Sequence, residues 1–305
     1  MKLSIVGMGR VGSAIAFAAT MEPIASELWL LNRSVEKAEG DAMDLTHASV
    51  LRNSNMTIQA GTIEDSAGSD VIVFTPSVSP TRADWKRSDL AIGNREILEG
   101  WLPRLAELSP NAVLIVVTNP VDVMTYAAIQ LTGFPPERVI GTGTLVDSIR
   151  YRSLLSAELK IHADDIRAYI LGEHGDDQFA ANSVAMTGGE KFIRSETAQR
   201  LFQKTVNLGY EVYRRKGYTD YGIALATMTI VDSIAYDLRH TMPVSVMVDG
   251  FLGVNDVCLS LPAVIGRQGI TRILHPPLSD EEADAFRGCA AKVRDAIDLM
   301  AGCVQ

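Results

Sequence analysis

The chain of 305 residues is long enough for two domains or one large α/β unit, and its 47% hydrophobic content permits a sizeable core. Its formal net charge of −9 argues against a nucleic-acid backbone or an anionic membrane as the main partner, because either favours a basic face. An anionic small molecule would have to be gripped by local arginines. The three cysteines, Cys258, Cys289 and Cys303, stand in no metal-ligand spacing, so neither a disulfide framework nor a zinc site is expected. The apolar opening, Met1 to Val6, is interrupted at once by Gly7, Gly9, Arg10 and Gly12, and no run approaches the roughly 20 apolar residues of a spanning helix. The expectation is a soluble, cytoplasmic protein.

Leu3 to Val6 reads as a strand and Ser13 to Ala19 as a helix, with Gly7-Met8-Gly9-Arg10-Val11-Gly12 between them. In G-x-G-x-x-G the first glycine permits the turn, the second lets backbone approach a pyrophosphate, and the third lets helix and strand pack closely. The helix N-terminus then favours the anion. A plain strand-to-helix turn is the alternative reading. The second strand, Glu27 to Leu31, ends at Asn32-Arg33-Ser34, where an acidic residue would bind the ribose 2′-hydroxyl and select NAD. None is present. Asn32 does not repel a 2′-phosphate, and Arg33 and Ser34 can donate hydrogen bonds to one, so NADP(H) is expected to serve at least as well as NAD(H). Arg33 as an ordinary solvated side chain is the alternative.

Val35 to Val50 has a helical pattern, and strands are expected at Met56 to Ala60, Val71 to Thr75 and Ala112 to Val117. Near-continuous apolar strands with helices between them fit a parallel sheet covered on both faces. Thr75, Pro76 and the stretch Thr118-Asn119-Pro120 follow strand ends, where ligands of such sheets bind. Residues 76–89, with Arg82, Lys86 and Arg87, have no period and read as a surface loop or a lid. Near Leu145 a helix begins that carries Asp147 and Arg150 on one face, as a functional set or as a solvated ion pair. Ile166 to Leu171 reads as one buried strand, and the turn after it, Gly172-Glu173-His174-Gly175, presents an imidazole.

The remainder changes texture. Helices are expected from about Glu196 to Arg215 and to about Leu238, and strands near Val244 to Val248 and Cys258 to Val264. Ser279 with Glu282 signals the cap of a final helix. Because helices and strands no longer alternate strictly, the expected fold is α/β, a Rossmann-type doubly wound parallel sheet over residues 1–143 followed by a smaller α+β domain over residues 144–305.

The glycine turn, Thr118-Asn119-Pro120-Val121-Asp122, Asp147-Ser148-Ile149-Arg150 and Gly172-Glu173-His174-Gly175 occur in the order and approximate spacing of the L-lactate/malate dehydrogenase family. Residues 133–144 and Gly217-Tyr218-Thr219-Asp220-Tyr221-Gly222 most resemble its L-2-hydroxyisocaproate dehydrogenase branch, which acts on aliphatic 2-hydroxy acids. The resemblance implies that His174 is the acid in reduction of a 2-oxo acid and the base in reverse. Asp147 would orient its ring, Arg150 would fork onto the substrate carboxylate, and Arg87 would polarise the carbonyl when the loop closes. Asn119 and Thr219 would border the substrate. The position that separates lactate from malate enzymes falls near Thr81, but Pro80 or Arg82 also fits. Thr81 leaves room for an uncharged side chain, Arg82 would attract a second carboxylate, and a monocarboxylate is expected. Trp85 adds apolar area or merely anchors the loop. The implied cofactor is NAD(P)H, the implied assembly a homodimer or homotetramer. Malate dehydrogenase is the near alternative and an NAD-dependent glycosidase the remote one, the latter disfavoured because no cysteine precedes Cys258.

Overall fold

The computed structural model describes residues 1–22, 24–52, 55–78, 87–191 and 196–302, with the backbone alone for residues 87–89. The first half alternates strand and helix: β1 (Lys2–Val6), α1 (Arg10–Thr20), β2 (Glu27–Leu31), α2 (Val35–Val50), β3 (Thr57–Gly61), β4 (Val71–Phe74), α3 (Arg87–Leu108), β5 (Val113–Val116), α4 (Val121–Thr132) and β6 (Val139–Gly141). The second half comprises α5 (Leu145–Leu159), β7 (Ile166–Arg167), β8 (Ile170–Leu171), β9 (Phe179–Ala180), β10 (Met186–Thr187), β11 (Glu190–Lys191), α6 (Glu196–Lys216), α7 (Tyr221–Ala235), β12 (His240–Asp249), β13 (Asn255–Gly266), β14 (Gly269–Ile273) and α8 (Asp280–Gly302).

The first six strands pair in parallel in the order β3-β2-β1-β4-β5-β6. Every residue of β4 and β5 is buried, which is why those strands are written without polar alternation. The strand order reverses between β1 and β4, so a crevice opens at their carboxyl ends, beside Gly7 and Thr75. Strands β12, β13 and β14 extend the same sheet to nine strands in antiparallel sense, through the pairing of Ser245 with Gly141. The second half is thus mixed α and β, as its irregular alternation implied, but part of it shares the first sheet.

Two elements depart from the sequence reading. The apolar run Ile166 to Leu171 is two short strands: β7 pairs with β10, whereas β8 pairs with β9, in a different sheet. Apolar character reports burial, and Ile166, Ile170 and Leu171 are buried while Arg167 is exposed, but it does not name a partner strand. The hairpin strands expected near residues 244–248 and 258–264 are the centres of β12 and β13, and β14 was not anticipated. The cap of α8 does form: Glu282 N–H donates to Ser279 Oγ at 3.3 Å and Ser279 N–H donates to Glu282 Oε2 at 3.1 Å. Among the described residues no helix is long and apolar enough to cross a membrane. Cys258 and Cys289 are free and buried, and Cys303 lies outside the described residues.

Candidate active site

Gly7 adopts φ +92°, and a Cβ there would meet Pro76 N at 2.8 Å. A Cβ on Gly12 would meet the Gly7 carbonyl oxygen at 1.9 Å, so α1 can approach β1 only without a side chain. A Cβ on Gly9 would meet nothing within 4 Å. Gly9 is the N-cap of α1 and provides no side-chain cap, so the helix N-terminus faces open space that a dinucleotide phosphate fits.

The neighbours of this turn are partly committed to holding it. Thr75 Oγ1 donates toward Val6 O and Gly7 O at 2.9 and 2.7 Å, and Thr118 Oγ1 donates to Pro76 O at 2.7 Å. Asn32 Oδ1 accepts from Met8 N–H at 3.3 Å while its Nδ2 donates to Ser34 O at 3.1 Å. Arg33 and Ser34 are exposed beyond it, and Val11 is half-buried behind the turn. Arg10 lies with its guanidinium 3.8 Å from the ring centroid of Tyr218, which precedes Thr219.

The His174 turn is fastened on several sides. Gly172 forms a bridge to Ser260 of β13, with N···O distances of 2.8 and 3.2 Å. Ser148 and Thr144 of the α5 segment bond the Ile170 backbone just before it. The imidazole Nδ1 lies 2.7 Å from Asp147 Oδ2, and Asp147 Oδ1 accepts from Arg150 Nη1 at 2.8 Å. Their i, i+3 spacing on α5 therefore builds more than a solvated pair: the Asp147 side chain is 5% exposed and carries both cations. Burial by itself would raise the Asp147 carboxyl, but the charges and hydrogen bonds of His174 and Arg150 outweigh it and hold it below the ordinary value. For His174 burial acts to lower the pKa, and the Asp147 charge with its hydrogen bond, aided by Asp122, raises it overall.

His174, Asp147, Arg150, Asn119 and Thr219 line one cleft of about 480 Å³, with Leu90, Val206, Gly209, Tyr210 and Tyr213 on its walls. His174 Nε2 takes no hydrogen-bond partner among the described residues. The structure thus brings together five residues singled out in the sequence. Thr81 and Arg82 lie outside the described residues, as does the side chain of Arg87, whose backbone opens α3.

Three residues that hold the site were not found from sequence. Asn94, fully buried on α3, donates to Asn119 O at 2.6 Å and accepts from Val78 N–H at 2.7 Å. Asp122 accepts from His174 N–H at 2.7 Å, and Ser245 Oγ donates to Asp122 Oδ1 at 2.6 Å. The motif containing Asp122 was visible, but nothing in its spacing points to a partner 52 residues away.

Comparison with known proteins places the chain among relatives. Residues 1–141 match the family described as lactate/malate dehydrogenase, NAD binding domain, and residues 144–303 the lactate/malate dehydrogenase, alpha/beta C-terminal domain. The chain is 39% identical to an L-lactate dehydrogenase of Salinibacter ruber, covering 98% of each chain, and 38% identical to one of Gloeobacter violaceus, covering 97% of this chain and 92% of that relative. Among solved structures, the minor L-lactate dehydrogenase of Enterococcus mundtii in a ligands-bound form superposes with a TM-score of 0.93 at 30% identity over 97% of both chains. A lactate dehydrogenase from a Medee basin deep-sea metagenome library superposes at 0.94, with 32% identity over 98% of both. With both family regions matched in order across nearly the whole chain and the fold shared throughout, the chain belongs to the lactate/malate dehydrogenase family.

Proposed function

We propose that this protein is an oxidoreductase that interconverts an L-2-hydroxy acid and its 2-oxo acid, with His174 as the proton donor and acceptor. The observation that carries the reading is the 2.7 Å contact between His174 Nδ1 and a buried Asp147 that also holds Arg150. The cofactor is a nicotinamide dinucleotide, which when bound supplies the hydride for reduction and accepts it in the reverse direction. Gly7, Met8, Gly9, Arg10, Val11 and Gly12 would hold its phosphates at the start of α1.

In reduction, Arg150 binds the substrate carboxylate and so presents the 2-oxo carbonyl to His174. His174 Nε2 then gives its proton to the oxygen as the carbon becomes tetrahedral, and Asp147 stabilises the imidazolium before transfer and the ring's orientation after it. Asn119 borders the same oxygen or the carboxamide of the cofactor, Thr219 borders the bound carboxylate, and Arg87 is the residue to which the family resemblance assigns polarisation of the carbonyl. In oxidation the same imidazole, neutral, takes the hydroxyl proton.

The side chains on the cleft walls favour a monocarboxylate with an aliphatic or aromatic tail, since among the described lining residues Arg150 is the one arginine or lysine and His174 is committed to the proton. The absence of an acid at Asn32-Arg33-Ser34 supports use of NADPH at least as well as NADH. Residues 1–143 would form the cofactor part and 144–305 the substrate part. A homodimer or homotetramer is favoured by exposed apolar side chains on three neighbouring helices, Phe17 of α1, Leu51 beyond α2 and Leu225 of α7. Sedimentation that finds only a 33.0 kDa species removes that last point.

The test is a panel of pyruvate, 2-oxoisocaproate, phenylpyruvate and oxaloacetate with NADH and with NADPH. Oxidation of either cofactor by the first three, with oxaloacetate poorer, is expected. Preference for oxaloacetate would move the substrate to a dicarboxylate, and an inert chain across the panel would remove the reading.

A further inference from the structure

Asp122 is a buried acid beside the site that the mechanism above does not use. It stands in the first turn of α4, three residues after Asn119, and is 2% exposed. Its two oxygens have separate donors on two other elements: Oδ2 takes the main-chain N–H of His174 at 2.7 Å, and Oδ1 takes the Ser245 hydroxyl at 2.6 Å. The N-terminus of α4 favours the negative charge.

We propose that Asp122 is a positioning residue for His174: its carboxylate fixes the histidine's main chain while Asp147 fixes the ring, so that two buried carboxylates set the reach of one imidazole. The proposal rests on the reading of His174 as the acid and base. The hydrogen bond to Asp147 holds the ring and the Gly172–Ser260 bridge holds the turn two residues earlier, but neither engages the main-chain N–H of His174 itself. The Asp122 carboxylate engages that N–H and ties the turn to α4 and, through Ser245, to β12. The hold is charged as well as geometric, since Asp122 adds to the negative potential that favours imidazolium.

Burial pushes the Asp122 carboxyl up to about 6, against the hydrogen bonds from Ser245 and His174, which act to lower it. The ionisable groups facing it are His174 and Glu173 from the turn, Asp147 from α5, Cys258 from β13, and Cys289 and Lys292 from α8. Both thiols are raised by burial and so are neutral near pH 8. A carboxyl whose pKa is raised on folding costs stability as it ionises, so the charge on Asp122 is kept above pH 6 at the expense of the fold.

Asp122→Asn and Asp122→Ala separate the two roles. An asparagine can accept from His174 N–H through its oxygen and donate to Ser245 Oγ through its amide, keeping the contacts and losing the charge. At pH 8 it should melt at or above the wild-type temperature. The alkaline limb of kcat/KM for 2-oxo acid reduction should move down by about half to one pH unit as the imidazolium loses support. Alanine loses the hold itself, and kcat should fall at least about tenfold with NADH affinity by fluorescence unchanged and substrate KM within about threefold. A folded Asp122→Asn with the wild-type pH profile and kcat within twofold overturns the proposal, whether or not the alanine variant folds. If wild type is active, His174→Asn is inactive and both Asp122 variants are normal, this proposal alone fails. A wild-type chain inert toward every 2-oxo acid overturns both this proposal and the functional reading beneath it.

Discussion

The imidazole of His174 is 30% exposed and its aspartate partner 5%, an arrangement that leaves the proton available while its counter-charge is shielded from water. Because Asp147 raises the His174 pKa overall, the protonated form, which the proposed mechanism uses for reduction, persists above the usual imidazole range and is lost as pH rises through the raised value. Oxidation needs the neutral ring and runs the opposite way. Asp147→Asn should therefore pull the alkaline limb of reduction to lower pH and reduce kcat/KM by about 10²- to 10⁴-fold, while leaving NADH binding in place. An unchanged limb would detach Asp147 from the imidazole's titration. Residues of this kind were legible in the sequence because the decisive spacing is local: Asp147 and Arg150 share a helix face, and glycines flank the histidine turn. Asp122, Asn94 and Ser245 were not, since their contacts span 52, 25 and 123 positions and only the folded sheet brings the partners together.

At the scale of elements, the β1-turn-α1 unit was readable to within three residues because its three glycines serve three distinct spatial needs. Those needs make a paired prediction. Gly9→Ala adds a methyl group that meets no protein atom within 4 Å, at a φ of −87° that any residue adopts, so the variant should fold with a melting temperature close to wild type. It should nevertheless bind NADH at least about tenfold more weakly, because the methyl enters the space for phosphate. Gly12→Ala places a methyl 1.9 Å from the Gly7 carbonyl oxygen and should lower the melting temperature by several degrees, roughly in line with a 1–3 kcal/mol overpacking cost. Equal stability and equal cofactor affinity in both variants would contradict this division of labour. The stretch from Ile166 to Leu171 was misread for the complementary reason: an apolar run fixes burial, and the choice of partner strand is made elsewhere in the chain.

Across the whole molecule, the change in texture after residue 143 was visible, but the joining of both halves into one nine-stranded sheet was not, because it rests on a single antiparallel pairing of Ser245 with Gly141. That join matters to the site. β12 supplies Ser245 to Asp122, β13 supplies Ser260 to Gly172, and the contact of Arg10 with Tyr218 connects the glycine turn to the segment carrying Thr219. The glycine turn and the His174 turn are thereby held on one frame. The central claim is that this frame delivers the His174 proton to a 2-oxo acid. Single-turnover reduction of a 2-oxo acid by NADH-loaded enzyme, followed in wild type and His174→Asn, tests it most directly. The account predicts that His174→Asn binds NADH as wild type does but reduces the substrate at least about a thousandfold more slowly; a rate within tenfold of wild type would contradict it.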